Sequence, residues 1–397
     1  MYFSTFDEKE ECISAYSDGQ IYSEKFPDHL KRTWKCRPSL LSRDPESFDY
    51  AYVLCGTDIK TACPDFLEKR FLQVTNRYKA FLKAFLTAKV DLDKYCFFDM
   101  VQESFLREFG EVNNMIVKEA FETLPKPPNY NHLKNLHILT TDILSREVKI
   151  NLDNIPNIEL AKRKNKELAS KLKTIMRPRI DYNIFGSKTG RLVTNKDTFP
   201  VLNMSKEMRK MIEPTNDWLL ELDYNAAEIR TMFALLDKTQ PDTDIHAHNS
   251  LKLGISRDLC KKLSFAFIYG SRSESVAGFQ DIFDDRSLKE NYFFSGAVHT
   301  PFHRKINSDE FHAMNYLLQS TTADLVFEQA YKIFKSLSGH ETFLKFILHD
   351  SIIIDLKDSE KDLLIELSRA FSDTRFGKFL TNLKVGKNFG NMREIRL

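Results

Sequence analysis

The sequence predicts an α+β protein in which a helical first half is followed by a mixed second half built on antiparallel strands. Between Pro64 and Pro178, apolar residues recur at the three- and four-residue spacing of amphipathic helices. After Pro178, short apolar runs of the β type alternate with helical segments. Two such runs, residues 346–348 and 351–354, flank two polar residues, which favours an antiparallel hairpin.

The composition is that of a globular protein without a global preference for nucleic acid. The 397 residues suffice for two or three domains, and 42% of them are hydrophobic. A net charge of +2 means that any nucleic-acid surface must come from local clusters. The six cysteines form no Cys-x-x-Cys pair, so a zinc site is not expected, and scattered thiols indicate a reducing, cytoplasmic location. We expect no secretory signal, membrane span or membrane partner.

The first half begins with residues 1–60, which are polar and irregular and to which no role is assigned. A helix is predicted from Pro64, and further helices near 101–121, 131–146 and 158–176. The run 125–128 contains three prolines and breaks the second of these helices. The first helix also carries basic residues, which form either a solvated face or a surface for a phosphate backbone. They are Lys69, Arg70, Arg77, Lys79, Lys83 and Lys89.

The second half contains a predicted buried strand, a hairpin and three predicted helices. The strand covers Trp218–Tyr224 and is followed by a helix over residues 227–236. The other two helices cover residues 256–269, ended by Gly270, and residues 315–337. These elements place the polar residues that could carry chemistry at strand ends and on one helix face.

Two aspartates lie at the ends of apolar strands. Asp223 ends the strand at 218–224, and Asp350 lies in the turn of the hairpin. A lone aspartate in such a place is most often a turn former or a helix cap. If the two strands are neighbours in one sheet, however, the carboxylates converge and repel each other unless cations lie between them. Two Mg²⁺ ions about 3.5–4 Å apart would fit, and could clamp an in-line phosphoryl displacement.

The helix at 256–269 repeats polar and aromatic residues every four positions. Arg257, Lys261, Phe265 and Tyr269 each lag the previous one by about 40°, so they share one slowly curving face. Two cations near the positive end of the helix could hold a triphosphate, and two rings could pack on a sugar and a base. The alternative is a core helix with two surface charges.

Seven short elements follow one another over roughly residues 180–397. They are Thr189-Gly190-Arg191-Leu192; Asp223-Tyr224 with Glu228 and Arg230; Asp244-Ile245-His246; Arg257, Lys261, Phe265 and Tyr269-Gly270; Asn315 and Gln319; His349-Asp350; and residues 385–390. In this order they resemble the motifs of the bacterial DNA polymerase I family, family A, and the stretch 318–320 is more similar to its phage members. The resemblance implies a right-hand polymerase fold, with an antiparallel-sheet palm, helical fingers and a helical thumb.

The resemblance also implies a catalytic metal site. Asp223, Asp350 and the Tyr224 carbonyl would bind two Mg²⁺ ions, for which Mn²⁺ could substitute. Arg257 and Lys261 would be catalytic by offsetting charge on the leaving group of the incoming nucleotide.

The remaining implied residues bind the deoxynucleoside triphosphate or the primer–template DNA. His246 would join Arg257 and Lys261 on the triphosphate, and Glu228 would exclude a ribose 2′-hydroxyl. Phe265 would stack under the sugar, and Tyr269 would pack beside the templating base. DNA contacts are implied for Thr189, Arg191, Arg230, Arg304, Asn315, Gln319 and His349.

The resemblance divides the chain into the parts of a compact polymerase. The N-terminal region would cover residues 1–60, either as a remnant of a missing domain or as a docking region. The thumb would cover 61–177, the palm 178–235 and 301–397, and shortened fingers 236–300.

The chain departs from the family pattern at two places. Ser351 replaces the glutamate that usually follows His-Asp, and Asp355 is a candidate for a compensating acid. The stretch Asp7-Glu8-Lys9-Glu10 lacks the Asp-x-Glu pattern of proofreading domains, so no 3′–5′ exonuclease is expected. A separate exonuclease or replisome subunit is a candidate partner.

The expected function is template-directed addition of deoxynucleotides to a primer 3′ end. One alternative is a catalytically inactive, polymerase-derived DNA-binding protein, which the intact pairs Asp223/Asp350 and Arg257/Lys261 disfavour. Another is a single-subunit RNA polymerase, which Glu228 disfavours because a ribose would clash with it.

Overall fold

The chain forms two compact units, residues 1–145 and 146–397. The structure is a computed structural model, and it describes residues 5, 12–17, 19–26, 46–56, 59–92, 94–174, 178–196 and 198–396. The segment Asp7–Glu10, on which the prediction about proofreading rests, lies outside these residues. The five-part division given above, with its boundaries, stays a prediction.

Among the described residues of the first unit, helices predominate and one small hairpin is present. The helices predicted from Pro64, near 101–121 and near 131–146 are confirmed, with bounds within a few residues of those expected, and the prolines at 125–128 lie between α3 and α4. The helix predicted at 158–176 lies in the second unit, where Asn157–Ala161 and Arg163–Thr174 form two helices instead of one. The elements are β1 Ser14–Ser17, β2 Gln20–Ser23, α1 Phe48–Cys55, α2 Asp65–Thr87, α3 Glu103–Thr123 and α4 Tyr130–Ser145.

Helix α2 follows Pro64 and has Asp65 and Glu68 in its first turn, where acidic side chains complement the helix dipole. Of its 23 residues only Leu67 and Val74 are fully buried, and they pack with α3 in an aromatic-rich core. Most of the surface of α2 is therefore open to solvent.

The second unit is organised around one antiparallel sheet of five strands. Its strand order is β14-β13-β5-β10-β9, so β5 is central and is paired on both edges. The strands of this sheet are β5 Trp218–Tyr224, β9 Phe343–Leu348, β10 Ser351–Leu356, β13 Thr381–Gly386 and β14 Arg393–Ile395. The predicted strand and hairpin are confirmed, as is antiparallel pairing.

Smaller strands and helices surround this sheet. The strands are β3 Tyr182–Asn183, β4 Val193–Thr194, β6 Phe293–Phe294, β7 Ala297–His299, β8 Lys305–Asn307, β11 Asp373–Thr374 and β12 Gly377–Lys378. The helices are α5 Asn157–Ala161, α6 Arg163–Thr174, α7 Ala227–Leu235, α8 Ile245–Leu253, α9 Arg257–Ile268, α10 Phe279–Ile282, α11 Asp285–Tyr292, α12 Glu310–Ser336 and α13 Leu363–Ser372.

Helix α12 is buried on nearly all sides along its middle and packs against α7 and the strands β9 and β10. It begins five residues before the predicted start at 315, because Asp309 caps it by accepting the His312 amide N–H at 2.8 Å. Among the helices that the structure describes, none is both long and apolar enough to cross a membrane.

Candidate active site

Asp223 and Asp350 lie at the same end of two neighbouring strands. In the β5–β10 pairing Ser351 is directly opposite Asp223, and Asp350 immediately precedes Ser351 in the two-residue turn after Leu348. The other turn residue, His349, has a φ of 54°, the positive value that tight hairpin turns require at their first position. Strands β5 and β10 are therefore neighbours, as convergence of the two carboxylates requires.

The two carboxyl groups are held in an environment that disfavours their charged forms. Burial, followed by the negative charges of Asp350 and Glu221, raises the pKa of Asp223 to about 7, against the opposing effects of Lys384 and Asn382. Burial also raises the pKa of Asp350, and Glu221 adds to this. Bound cations would relieve both effects, and an all-oxygen donor set is what Mg²⁺ and Mn²⁺ prefer. These residues thus fit a divalent metal site.

The Tyr224 side chain is directed away from the two aspartates. Its hydroxyl donates a hydrogen bond to the Phe371 carbonyl at 2.6 Å, and its ring stacks on the Phe371 ring at 4.2 Å. This packing fixes the end of β5, and it leaves the backbone carbonyl as the group that Tyr224 can offer to a metal ion.

Ser351 does not replace the missing carboxylate, and the suggestion that Asp355 compensates for it is wrong. The Ser351 hydroxyl donates to the Leu348 carbonyl at 3.0 Å and stabilises the turn. Asp355 is fully buried, is ion-paired with Lys345 at 2.7 Å and accepts the amides of Thr215 and Asn216. Both oxygens of its carboxylate are engaged by these partners and are not available to a metal ion.

Sequence reasoning missed an acidic residue close to the two aspartates. Glu221 lies two residues before Asp223, so both side chains are on the same face of β5. Its carboxylate is ion-paired with Lys384 of β13 at 2.7 Å. The cross-strand register, which pairs Glu221 with Lys384, is the information that the sequence does not show.

A cleft of about 290 Å³ opens beside Asp350. It is lined by residues from five separate stretches of the chain, among them Arg191, Glu228, Phe265 and His349. The structure therefore brings together members of four of the elements that resemble polymerase motifs.

Within the cleft, Glu228 is ion-paired with Arg191 through its Oε1 atom. The other carboxylate oxygen, Oε2, is buried and accepts no hydrogen bond from the part of the chain that the structure describes. Burial raises the pKa of Glu228, and the charge of Arg191 opposes this.

Helix α9 presents the predicted face, capped by the Ser256 hydroxyl, which accepts the Leu259 amide N–H at 3.3 Å. Lys261 is exposed and forms no ion pair among the described residues. Arg257 is exposed too, but its guanidinium binds Asp244 at 2.7 and 3.2 Å. Burial raises the pKa of Asp244, yet hydrogen bonds from Arg257 and the Ala247 amide outweigh it and leave the pKa below its ordinary value.

At the end of α9, Tyr269 is the residue that follows the last helical turn. Its ring is half exposed, and its hydroxyl accepts a hydrogen bond from Gln319 Nε2 at 3.4 Å. This contact connects the end of α9 to α12, and both side chains keep accessible surface.

Two predicted ligand contacts are corrected by burial. Arg230 is fully buried, and its guanidinium donates to the carbonyls of Asn225, Pro241 and Thr243 at 2.8–3.0 Å. It therefore shapes the loop before α8 and cannot reach DNA. His246 is only 3% exposed, and burial lowers its pKa to about 4. A buried neutral imidazole does not supply the positive charge predicted for a triphosphate site.

Two further residues predicted to contact DNA are buried, and a third, Arg304, is engaged by a carboxylate. Arg304 forms a two-pronged ion pair with Asp324, at 2.6 and 2.8 Å, and its side chain is 12% exposed. Asn315 is buried, and its Oδ1 atom is inaccessible. Thr189 is buried as well. Of the predicted DNA-contacting residues, Arg191, Gln319 and His349 keep accessible surface, and Arg304 keeps a small part of its own.

The second unit is a mixed helix-and-sheet fold with two carboxyl groups at the same end of its central strands. The sequence matches no protein-family model and no curated protein. Among solved structures, the chain is similar to the POL domain of Pol1 from M. smegmatis, described in complex with DNA primer-template and dNTP. The TM-score is 0.63 at 11% sequence identity, over 87% of this chain and 82% of that one. At this identity the likeness shows the fold, and it confirms the predicted mixed class with an antiparallel sheet, whereas the division into palm, fingers and thumb stays a prediction.

Proposed function

We propose that this chain is a DNA-directed DNA polymerase that extends a primer 3′ end with deoxynucleotides. The observation that carries the proposal is the position of Asp223 opposite Ser351. It places two carboxyl groups, whose charged forms are disfavoured, beside a cleft of about 290 Å³. The polymerase-type fold supports it. We further propose that the chain is a compact family A enzyme of the phage type without its own 3′–5′ exonuclease.

Asp223, Asp350 and the Tyr224 carbonyl would hold two divalent ions. When bound, these ions supply Lewis-acid stabilisation of the attacking and leaving oxygens. The two carboxylates would fix the position of these ions against the end of β5, which is paired on both edges and therefore rigid. Precise placement of this kind accounts for much of the rate in phosphoryl transfer.

Helix α9 would receive the incoming deoxynucleoside triphosphate. Lys261 is available for the phosphates, and Arg257 becomes available when the phosphate charge replaces that of Asp244. Phe265 and Glu228 line the cleft where the sugar would lie. Tyr269 would pack beside the templating base, and Gln319 donates a hydrogen bond to the Tyr269 hydroxyl.

Primer–template DNA would be held in part by the exposed face of α2. Arg70 and Arg77 are ion-paired with Glu111 and Glu108 of α3, at 3.7 and 3.0 Å. Residues 69–87 contain no acidic side chain. The net positive charge of this surface therefore comes from Lys69, Lys79 and Lys83. Such a surface binds phosphates with little sequence preference.

The test is primer extension by wild type, Asp223→Asn and Asp350→Asn, with binding of the same primer–template measured in parallel. Each variant is expected to lose extension by at least about 10³-fold while DNA binding changes less than about threefold. The control is Asp362→Asn, an exposed aspartate before α13. Wild-type protein that binds primer–template without extending it in Mg²⁺ or Mn²⁺ would instead identify an inactive DNA-binding protein.

A further inference from the structure

We propose that Arg191 is the positioning residue for the Glu228 carboxylate, and thereby controls discrimination between deoxynucleotides and ribonucleotides. The inference rests on the proposed polymerase function. It gives Arg191 a role inside the nucleotide cleft in addition to the DNA contact predicted for it.

The contact between the two side chains is direct and shielded. Arg191 Nη2 binds Glu228 Oε1, and the Glu228 side chain is only 11% exposed, whereas that of Arg191 is 41% exposed. Because Oε2 has no hydrogen-bond partner in the described chain, Arg191 supplies the polar contact that orients this carboxylate. A glutamate side chain has three rotatable bonds, so without that contact it can turn away from the cleft.

The backbone that carries Arg191 is itself fixed. The Ser187 hydroxyl donates to the Arg191 carbonyl at 2.7 Å. Gly190 has a φ of 77°, and a Cβ atom there would lie 2.6 Å from Cζ of Arg304. Arg304 is in turn held by the buried carboxylate of Asp324 on α12. The guanidinium of Arg191 is therefore presented to Glu228 from a loop that is packed on a buried helix.

This rigidity matters because a steric block discriminates only when it cannot move aside. A 2′-hydroxyl adds one oxygen to the sugar, and a side chain that yields by a few tenths of an ångström accommodates it at little cost. An ion pair to an anchored arginine resists that displacement. Arg191 thus holds the Glu228 carboxylate in one position, where it blocks a 2′-hydroxyl.

The experiment measures kcat/KM for dCTP and for CTP in single-nucleotide primer extension and takes their ratio. Arg191→Met is expected to lower the ratio by about tenfold or more, Arg191→Lys to retain most of it, and Glu228→Ala to lower it at least as far. In the Glu228→Ala background, Arg191→Met is expected to have no further effect on the ratio. Gly190→Ala should act in the same direction as Arg191→Met, because it displaces the loop.

The matched control is Arg375→Met. Arg375 is 45% exposed and is ion-paired with Glu328, which is 19% exposed, so a similar surface pair is removed away from the cleft. The ratio should not change in this variant.

The outcomes separate the two proposals. A wild type without extension refutes the proposed function and the inference with it. Extension by wild type, together with an Arg191→Met variant in which dCTP and CTP are affected equally, refutes the inference alone and assigns Arg191 to primer–template binding. Additive effects of Arg191→Met and Glu228→Ala on the ratio also refute it, because the two residues would then act independently.

Discussion

Replacing Arg304 with methionine removes the guanidinium from a fully buried carboxylate, that of Asp324. Breaking a buried pair in this way costs about 3–5 kcal/mol, because the remaining charge stays in a low-dielectric interior. If Arg304 instead contacted the template, its loss would leave stability almost unchanged and would remove one phosphate contact. The two roles therefore predict different results in two different measurements.

Stability is measured by urea unfolding followed through Trp218 fluorescence in a Trp34→Phe background, so that the signal reports the second unit. With an m-value of about 3 kcal/mol/M, the expected loss moves the midpoint down by about 1–1.7 M urea. The double variant Arg304→Met/Asp324→Leu should recover most of this loss, because both charges are then absent. Arg375→Met, which breaks an exposed pair, should cost no more than about 1 kcal/mol.

DNA binding is measured as the dependence of affinity on salt concentration. Loss of one phosphate contact would lower the magnitude of the log–log slope by about 0.9. We expect no such change for Arg304→Met under conditions where the variant is folded. A slope reduced by about 0.9, together with a midpoint within 0.3 M of wild type (about 1 kcal/mol at that m-value), would refute the reasoning and return Arg304 to the DNA surface.

Three further variants test the site and the binding surface. In metal-free protein Asp223→Asn should raise the free energy of unfolding by at most about 4 kcal/mol, because folding raises the pKa of Asp223 from 3.8 to about 7. Protonated Asp223 costs the folded state nothing, so the gain is absent below about pH 4, grows up to about pH 7 and is complete above it. Calorimetry that finds no pH dependence of this gain would contradict the prediction. Added Mg²⁺ should stabilise wild type and not this variant. Asp355→Asn should cost about 3–5 kcal/mol without changing the Mg²⁺ concentration that gives half-maximal extension, whereas a raised Mg²⁺ requirement would make Asp355 a metal ligand after all. Glutamine at Lys69, Lys79 and Lys83 together should lower the salt slope by up to about 2.7, and an unchanged slope would remove α2 from the DNA surface.

The sequence was sufficient to predict elements whose pattern is local. The strand β5 and the hairpin of β9 and β10 were predicted because continuous apolar runs ended at polar residues. The face of α9 was predicted from four-residue spacing. In each case the periodicity of one segment decides the structure.

The burial of individual motif residues could not be predicted, because it depends on partners that lie outside the motif. The Arg230 guanidinium is hydrogen-bonded to carbonyls of the loop before α8, and the Arg304 guanidinium is ion-paired with Asp324, twenty residues further on. Motif spacing locates such an arginine along the chain but says nothing about the oxygens that surround it. The two-residue spacing along β5 already places Glu221 on the face of Asp223, but only the register of β13 reveals its partner Lys384.

The central position of β5 has a consequence for synthesis of the protein. The strand is paired with β10 on one edge and β13 on the other, and both are encoded more than 120 residues later. At about 5–20 residues per second, the ribosome needs roughly 6–25 s to add the residues that separate Asp223 from Ser351. During that interval a strand containing Leu219, Leu220 and Leu222 has emerged with neither edge paired, the state in which strands associate with other chains. Translation across residues 225–350 is therefore the period when the nascent chain most needs protection from aggregation.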